Sequence, residues 1–173
     1  GAGALGSSGR LRPEMDALIR VPQNPNYHPE GDVWTHTLLA LDACAALLEE
    51  RALMECKTDN EALILLLATL VHDFGKALTT RTLNGRIVSH GHEQAGVRPA
   101  TAFLSMLNIS KADQRRIVNI IENHLFLLSA GEPTDAAVRR LAHRLEPATI
   151  EELAVVIAAD SAGKGAPDAA RKG

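Results

Sequence analysis

Four stretches of the chain put imidazole or carboxylate groups where a helix should carry apolar side chains. His72 and Asp73 close an apolar run at residues 62–71. His124 stands three, four and seven residues after Ile121, Ile120 and Ile117, so it shares their helix face. Asp160 stands three residues after Ile157 and seven after Leu153, again on the apolar side. His36 is in register with Ala40, Ala43 and Leu47 on the small-residue side of its helix. Each has an ordinary explanation: a polar helix end can meet solvent, and a core histidine can bond a backbone carbonyl. A buried carboxylate is costlier and calls for a cation or another partner. Four such positions on four helices point to a shared centre, and a metal ion would satisfy them all. Imidazole and carboxylate without thiolate suit manganese, iron, magnesium, nickel or zinc. Two such ions bridged by one carboxylate make a clamp for phosphoryl transfer.

The elements that must position these groups read as helices. Hydrophobic residues make up 46% of the 173 and aromatic residues 3%, so leucine, isoleucine, valine and alanine build the core. Few β-branched runs occur, which favours helices over strands. A first short helix is expected at 11–20, then a proline-rich loop at 21–30. A long helix follows at 32–51, with Trp34, Leu38, Leu41, Ala45 and Leu48 at helical spacing. Thr58 and Glu61 form a capping box for the helix whose end, at 62–71, is apolar on nearly every face and so sits at the domain centre. Gly75 is expected to stop it. Residues 76–91 read as a loop or short ribbon and 93–107 as a helix. Ser110, Thr134 and Thr149 cap three more helices, with Asp113 and Glu152 at their N3 positions where they apply. The expectation is an all-α bundle of six or seven helices spanning residues 11–165, with a tag or linker remnant at 1–10 and a flexible tail at 166–173.

Several classes fall away. A charged fraction of 23% is ordinary for a globular domain. The longest apolar block has ten residues, too few to cross a bilayer, and no secretion signal is apparent. Cys44 and Cys56 have no motif spacing and read as reduced thiols of a cytoplasmic protein. A net charge of −3 gives no broad attraction to nucleic acid.

At the ligand-bearing residues the chain resembles the HD-domain metal-dependent phosphohydrolases. Their pattern is a histidine on an early helix, a His-Asp dipeptide and a distal aspartate, matched here by His36, His72-Asp73 and Asp160. Many members add two intervening histidines, matched by His92 in Gly91-His92-Glu93-Gln94-Ala95-Gly96 and His124 in Glu122-Asn123-His124. A narrower likeness runs through Pro22-Gln23-Asn24-Pro25, His28-Pro29-Glu30-Gly31-Asp32-Val33-Trp34-Thr35-His36 and His72-Asp73-Phe74-Gly75-Lys76. These stretches are similar to the HD region of bacterial CCA-adding tRNA nucleotidyltransferases and poly(A)-polymerase-like proteins. No nucleotidyltransferase motif precedes residue 30, so nucleotide addition is not assigned.

The resemblance implies a phosphohydrolase acting on nucleotides, RNA 3′-terminal phosphates or other phosphate esters, 2′,3′-cyclic phosphates included. It implies one or two divalent ions (manganese, nickel, iron, cobalt, magnesium or zinc). His36, His72, Asp73 and Asp160 would hold the first; Asp73 would bridge to a second held by His92 and His124. Lys76 would bind a substrate oxygen, against the simpler reading of a cation favoured at a helix C-terminus. Arg81, Arg98 and His90 are weaker candidates for substrate contact. His90 competes with His92 as ligand, and the positions of Glu93 and Gly96 favour His92. His28 is read as loop structure or pocket lining, Trp34 as a core anchor. His143, Arg139, Arg140 and Arg144 are read as a solvated face. The alternative function is a non-catalytic HD module serving RNA binding or dimerisation.

Overall fold

The computed structural model describes residues 12–52, 58–126 and 133–165. Leu11, Cys56 and the expected terminal segments 1–10 and 166–173 lie outside the described residues. The elements run α1 (Pro13–Asp16), α2 (Val33–Ala52), α3 (Asp59–Val71), α4 (Lys76–Thr79), β1 (Arg81–Leu83), β2 (Arg86–Val88), α5 (His92–Ala95), α6 (Val97–Ser105), α7 (Lys111–Asn123), α8 (Asp135–Leu145) and α9 (Ile150–Gly163). The protein is therefore all-α apart from one ribbon, with six long helices and three single turns among the described residues.

Caps set the helix starts. Thr58 and Glu61 close a reciprocal capping box on α3, and Thr149 and Glu152 do the same on α9. The hydroxyls of Ser110 and Thr134 accept the N3 amides of α7 and α8. Asp32 anchors α2: its Oδ1 accepts the Thr35 amide at 2.8 Å and its Oδ2 the Arg20 amide at 2.6 Å.

Helix α3 is the centre of the bundle, packed against α2, α7 and α9. Its Ile64, Leu65, Ala68 and Val71 are buried together with Ile117, Ile120 and Ile121 of α7 and Leu153 and Val156 of α9. Each large aliphatic side chain buried this way contributes about 1.5–3 kcal/mol. Cys44 is a free, buried thiol in the same cluster. The stretch Asp59–Thr79 is long and apolar enough to cross a membrane by length and composition, which the ten-residue block did not indicate. More than half of its apolar window, 56%, is buried inside the protein, as befits a central helix.

Four expectations need correction. The first helix is a single turn, Pro13–Asp16, continued only by turns. On α2 the inward residues are Val33, His36, Thr37, Ala40 and Cys44, whereas Leu38 is 44% exposed. The reason is α9: a Cβ on Gly163 would stand 2.7 Å from the Ala40 amide nitrogen, an approach that only small residues permit. Gly75 does not end α3 with a left-handed turn; its φ is −69° and it precedes α4. It is small because a Cβ there would come 1.9 Å from the His92 carbonyl oxygen. The helix expected at 93–107 divides at Gly96 into α5 and α6, since Gly96 is the other side of that contact.

Residues 76–91 resolve into α4 and an antiparallel hairpin pairing Arg81 with Val88 and Leu83 with Arg86. Its turn is Asn84-Gly85, both at positive φ, the dipeptide that two-residue hairpins favour.

Candidate metal centre

His36 sits in the first turn of α2, and Asp160 in the last turn of α9. His72 and Asp73 follow the end of α3, His92 opens α5, and His124 follows the end of α7. All six are buried. His36 Nε2 and Asp160 Oδ1 are 2.9 Å apart, and His72 Nε2 is 3.9 Å from the same oxygen. Asp73 divides its carboxylate. Its Oδ2 lies 3.3 Å from His72 Nε2 and 3.9 Å from His36 Nε2, and its Oδ1 lies 3.3 Å from His92 Nε2. His92 Nε2 and His124 Nε2 then face each other at 3.2 Å.

Backbone carbonyls fix the imidazoles. Nδ1 of His72 donates to Thr69 O at 2.7 Å, that of His92 to Ser89 O at 2.8 Å, and that of His124 to Ile121 O at 2.6 Å. In each case the acceptor is three residues earlier, at the end of a helix or turn. A carbonyl only accepts, so each Nδ1 carries the proton and each neutral ring turns a lone pair inward at Nε2. Gly91, at φ 75°, makes the left-handed entry that brings His92 round to this position. His36 is placed differently: Glu30 Oε1 lies 2.8 Å from its Nδ1 without an aligned hydrogen bond, and is hydrogen-bonded to His28 Nδ1 at 2.8 Å. The other Glu30 oxygen accepts the Gly165 amide at 3.1 Å.

The donor set fits a divalent cation. His72 Nε2 and both Asp73 oxygens are buried without an aligned hydrogen bond. Two imidazole acceptors face each other in the His92–His124 pair, an arrangement that a cation between them resolves. The atoms of His36, His72 and Asp73 form one compact group, and those of Asp73, His92 and His124 form another, each within 4.8 Å. Orientation of ligating imidazoles by carbonyls or a carboxylate is the usual outer shell of such a site.

The electrostatics agree with this geometry. Burial alone would push Asp73 up, but the charges of His72 and Lys76 outweigh it and hold the carboxyl well below its ordinary range. Burial likewise opposes ionised Asp160, yet the His36 hydrogen bond and the His72 charge lower it. Burial disfavours charge on His72, but Asp73 and Asp160 together raise it. His124 is pushed down to about 4, by burial first and by the His72 charge second. His28 is lowered by burial and by Lys76.

The cluster opens into a cavity of about 620 Å³. Lys76, Lys164 and Ser89 line it, as do His28 and His90. Lys76 Nζ is 2.7 Å from Asp73 Oδ2 and donates to Gln23 Oε1 at 2.8 Å. Lys164 Nζ is 3.4 Å from Asp160 Oδ2. Arg81 and Arg98 do not line the cavity: Arg81 is on a fully exposed strand, and Arg98 is opposite the buried Ala100, Phe103 and Leu104 of α6. His143 is exposed and pairs with Glu146 at 3.4 Å, and Arg144 covers the Phe126 ring at 5.5 Å. Sequence reasoning missed Gln23, Glu30 and Lys164. Only Lys164 had a local signal, one turn beyond Asp160.

The HD domain family model matches residues 33–162. Among curated relatives, a multifunctional CCA protein of Halorhodospira halophila is 38% identical over 172 residues, covering 97% of this chain and 37% of its own length. Those of Acinetobacter baumannii and Mannheimia succiniciproducens are each 31% identical, over 163 and 158 residues, covering 92% and 89% of this chain. The chain thus spans little more than a third of these relatives, 36–37% of their length. No solved structure matches it.

Proposed function

The chain belongs to the HD domain family, and on that premise we propose that it is a metal-dependent phosphohydrolase. Its substrates would be phosphomonoesters or phosphodiesters of nucleotides or RNA 3′ ends, including 2′,3′-cyclic phosphates, and the working domain would be residues 11–165. The observation that carries this reading is the divided carboxylate of Asp73, with one oxygen toward His72 and the other toward His92.

In this reading His36, His72, Asp73 and Asp160 hold one divalent ion, and Asp73, His92 and His124 hold a second. When bound, such ions supply Lewis-acid charge and lower the pKa of water so that a nucleophile exists at neutral pH. The chain's own groups do the rest. Asp73 and Asp160 stay ionised over the whole working range. The Nδ1–H bonds to Thr69, Ser89 and Ile121 keep three imidazoles in the ligating tautomer. Lys76 has three donors, two of them engaged by Asp73 and Gln23, and directs the third to a non-bridging phosphate oxygen. Lys164, on the Asp160 side, adds a second cation to the charge that develops on the phosphoryl group.

The second reading is a non-catalytic module that binds RNA or dimerises within a larger nucleotidyltransferase-like protein. The partial coverage of the multifunctional CCA proteins favours it. One experiment separates the two: metal analysis of protein purified without chelator, with phosphatase and cyclic-phosphodiesterase assays in manganese, nickel and cobalt. The enzyme reading expects bound metal and turnover that His72→Ala or Asp73→Ala removes. No metal and no turnover in any of the three ions would leave the module reading.

A further inference from the structure

A single exposed aromatic is ordinary on a protein surface. Tyr27 is distinguished by its place. Of the five aromatic residues, Phe74 and Phe103 are buried, Trp34 and Phe126 pack partly against the core, and Tyr27 is 70% exposed. It lines the same cavity as Asp73 and Lys76. A tight turn fixes it there: the amides of Tyr27 and His28 both donate to Asn24 O, at 3.0 and 2.9 Å, and the Asn26 amide donates to Asn24 Oδ1 at 3.0 Å. The next residue, His28, bonds Glu30 at 2.8 Å and stacks edge-on against His36 with ring centroids 4.8 Å apart. The backbone that carries the phenol ring is therefore tied, through one residue, to the ligand cluster. The cavity, at about 620 Å³, has the size of a small-molecule site rather than of a bare phosphate pocket, and Ile87 and Val88 give it an apolar wall.

We propose that Tyr27 is the platform on which the base of a nucleotide stacks while its phosphate lies against Lys76 and the His/Asp cluster. The inference rests on the phosphohydrolase reading for the phosphate end and adds what selects the other end: a nucleoside rather than any phosphate ester. Stacking on one ring tolerates every base, so the four nucleotides should bind within a few-fold of one another.

The test compares adenosine 2′-monophosphate with the base-free esters glycerol 2-phosphate and ribose 5-phosphate, on the full chain, Tyr27→Ala and Tyr27→Phe. The expected result is a KM for the nucleotide raised on the order of ten-fold or more in Tyr27→Ala, with kcat nearly unchanged and recovery in Tyr27→Phe. The base-free esters should be unaffected. Where the protein hydrolyses none of these esters, calorimetric titration of the same three ligands, with manganese present, reads binding alone. Nucleotide binding that Tyr27→Ala weakens, in a protein that hydrolyses nothing, upholds the platform and refutes the phosphohydrolase reading. Equal losses for nucleotide and glycerol phosphate, no loss for either, or no nucleotide binding at all overturns the platform.

Discussion

The two halves of the cluster are held by different kinds of scaffold. His36 and Asp160 lie within long helices, α2 of 20 residues and α9 of 14, pressed together at Ala40 and Gly163. His92 opens a helix of four residues, entered from a left-handed glycine and preceded by a two-stranded ribbon. The first half gets its geometry from the same packing that makes the domain stable. In the second, His124 follows the long α7, but His92 depends on one backbone contact, Gly75 against His92 and Gly96, and on the Ser89 carbonyl. A site made this way has one half set by the fold and another that local change can alter. Asp73, between them, belongs to both.

The largest effect is therefore expected at Asp73. Asp73→Asn removes the charge that both halves share and leaves Lys76 buried beside a neutral amide. Breaking a buried pair by removing one partner costs about 3–5 kcal/mol. Denaturant unfolding of the metal-free protein should show a loss of that order, and metal analysis should find both halves emptied. A variant that keeps one full equivalent of metal would show that the halves do not share the carboxylate.

Two glycine substitutions test the halves separately. In Gly75→Ala the new methyl meets backbone, not a flexible side chain, so α5 must move and carry His92 away from Asp73. In Gly163→Ala the methyl meets the Ala40 backbone and moves α9 off α2, separating Asp160 from His36. Each overpacking should cost about 1–3 kcal/mol. Gly75→Ala should lose the His92–His124 ion and keep the other; Gly163→Ala should do the reverse. Metal stoichiometry measured on both variants decides it, and identical losses would mean that the site behaves as a single unit.

Much of this was legible in the sequence, for a physical reason. Capping is local: Thr58 with Glu61, Ser110 with Asp113 and Thr149 with Glu152 lie three residues apart and appear as read. The convergence was legible because helical periodicity puts His36, His124 and Asp160 on inward faces, and because His72 and Asp73 end the most apolar helix. His92 was not; only the resemblance to a family pointed to it, since its place depends on the Gly75–Gly96 approach. Glu30 was hidden for the same reason of distance: it bonds Gly165, 135 residues on, and no local pattern pairs it with His36. On α2 the small-residue side with His36 and Ala40 is the buried one, and of the stripe at helical spacing Trp34 and Leu48 are only partly buried and Leu38 is exposed. Here α9 comes close enough to select Ala40 and Gly163 instead.

Glu30→Gln is a smaller intervention and acts on the first half alone. It keeps the shape but withdraws the charge that lies 2.8 Å from His36 Nδ1 and weakens the bond that holds His28. Loss of such an outer-shell partner typically weakens metal binding by about 10–100-fold. Titration with manganese should show that loss in the tighter or the weaker of two binding steps, not in both. A uniform loss would place Glu30 outside the division between halves.

The smallest effect is on pH dependence, and it divides the two halves once more. His72 is raised in the folded, metal-free protein, so it contributes stability fully below its unfolded value, near 6.5, and loses it as pH rises through the folded value. His124 is pushed down to about 4, so its contribution has the opposite sign: it is present above 6.5 and lost as pH falls from there toward 4. A cation replaces the His72 proton but finds His124 already neutral. The stabilisation by manganese should therefore grow between pH 6 and pH 8, because the ion takes over a role that the proton gives up. Each 1 kcal/mol of that linkage moves the midpoint by about 2–4 °C in a chain of this size. Thermal unfolding at the two pH values, with and without manganese, reads the difference directly. The same manganese shift at both would mean that His72 carries no proton for the metal to displace. His124→Gln, which removes the group that is already neutral, should leave that pH difference intact.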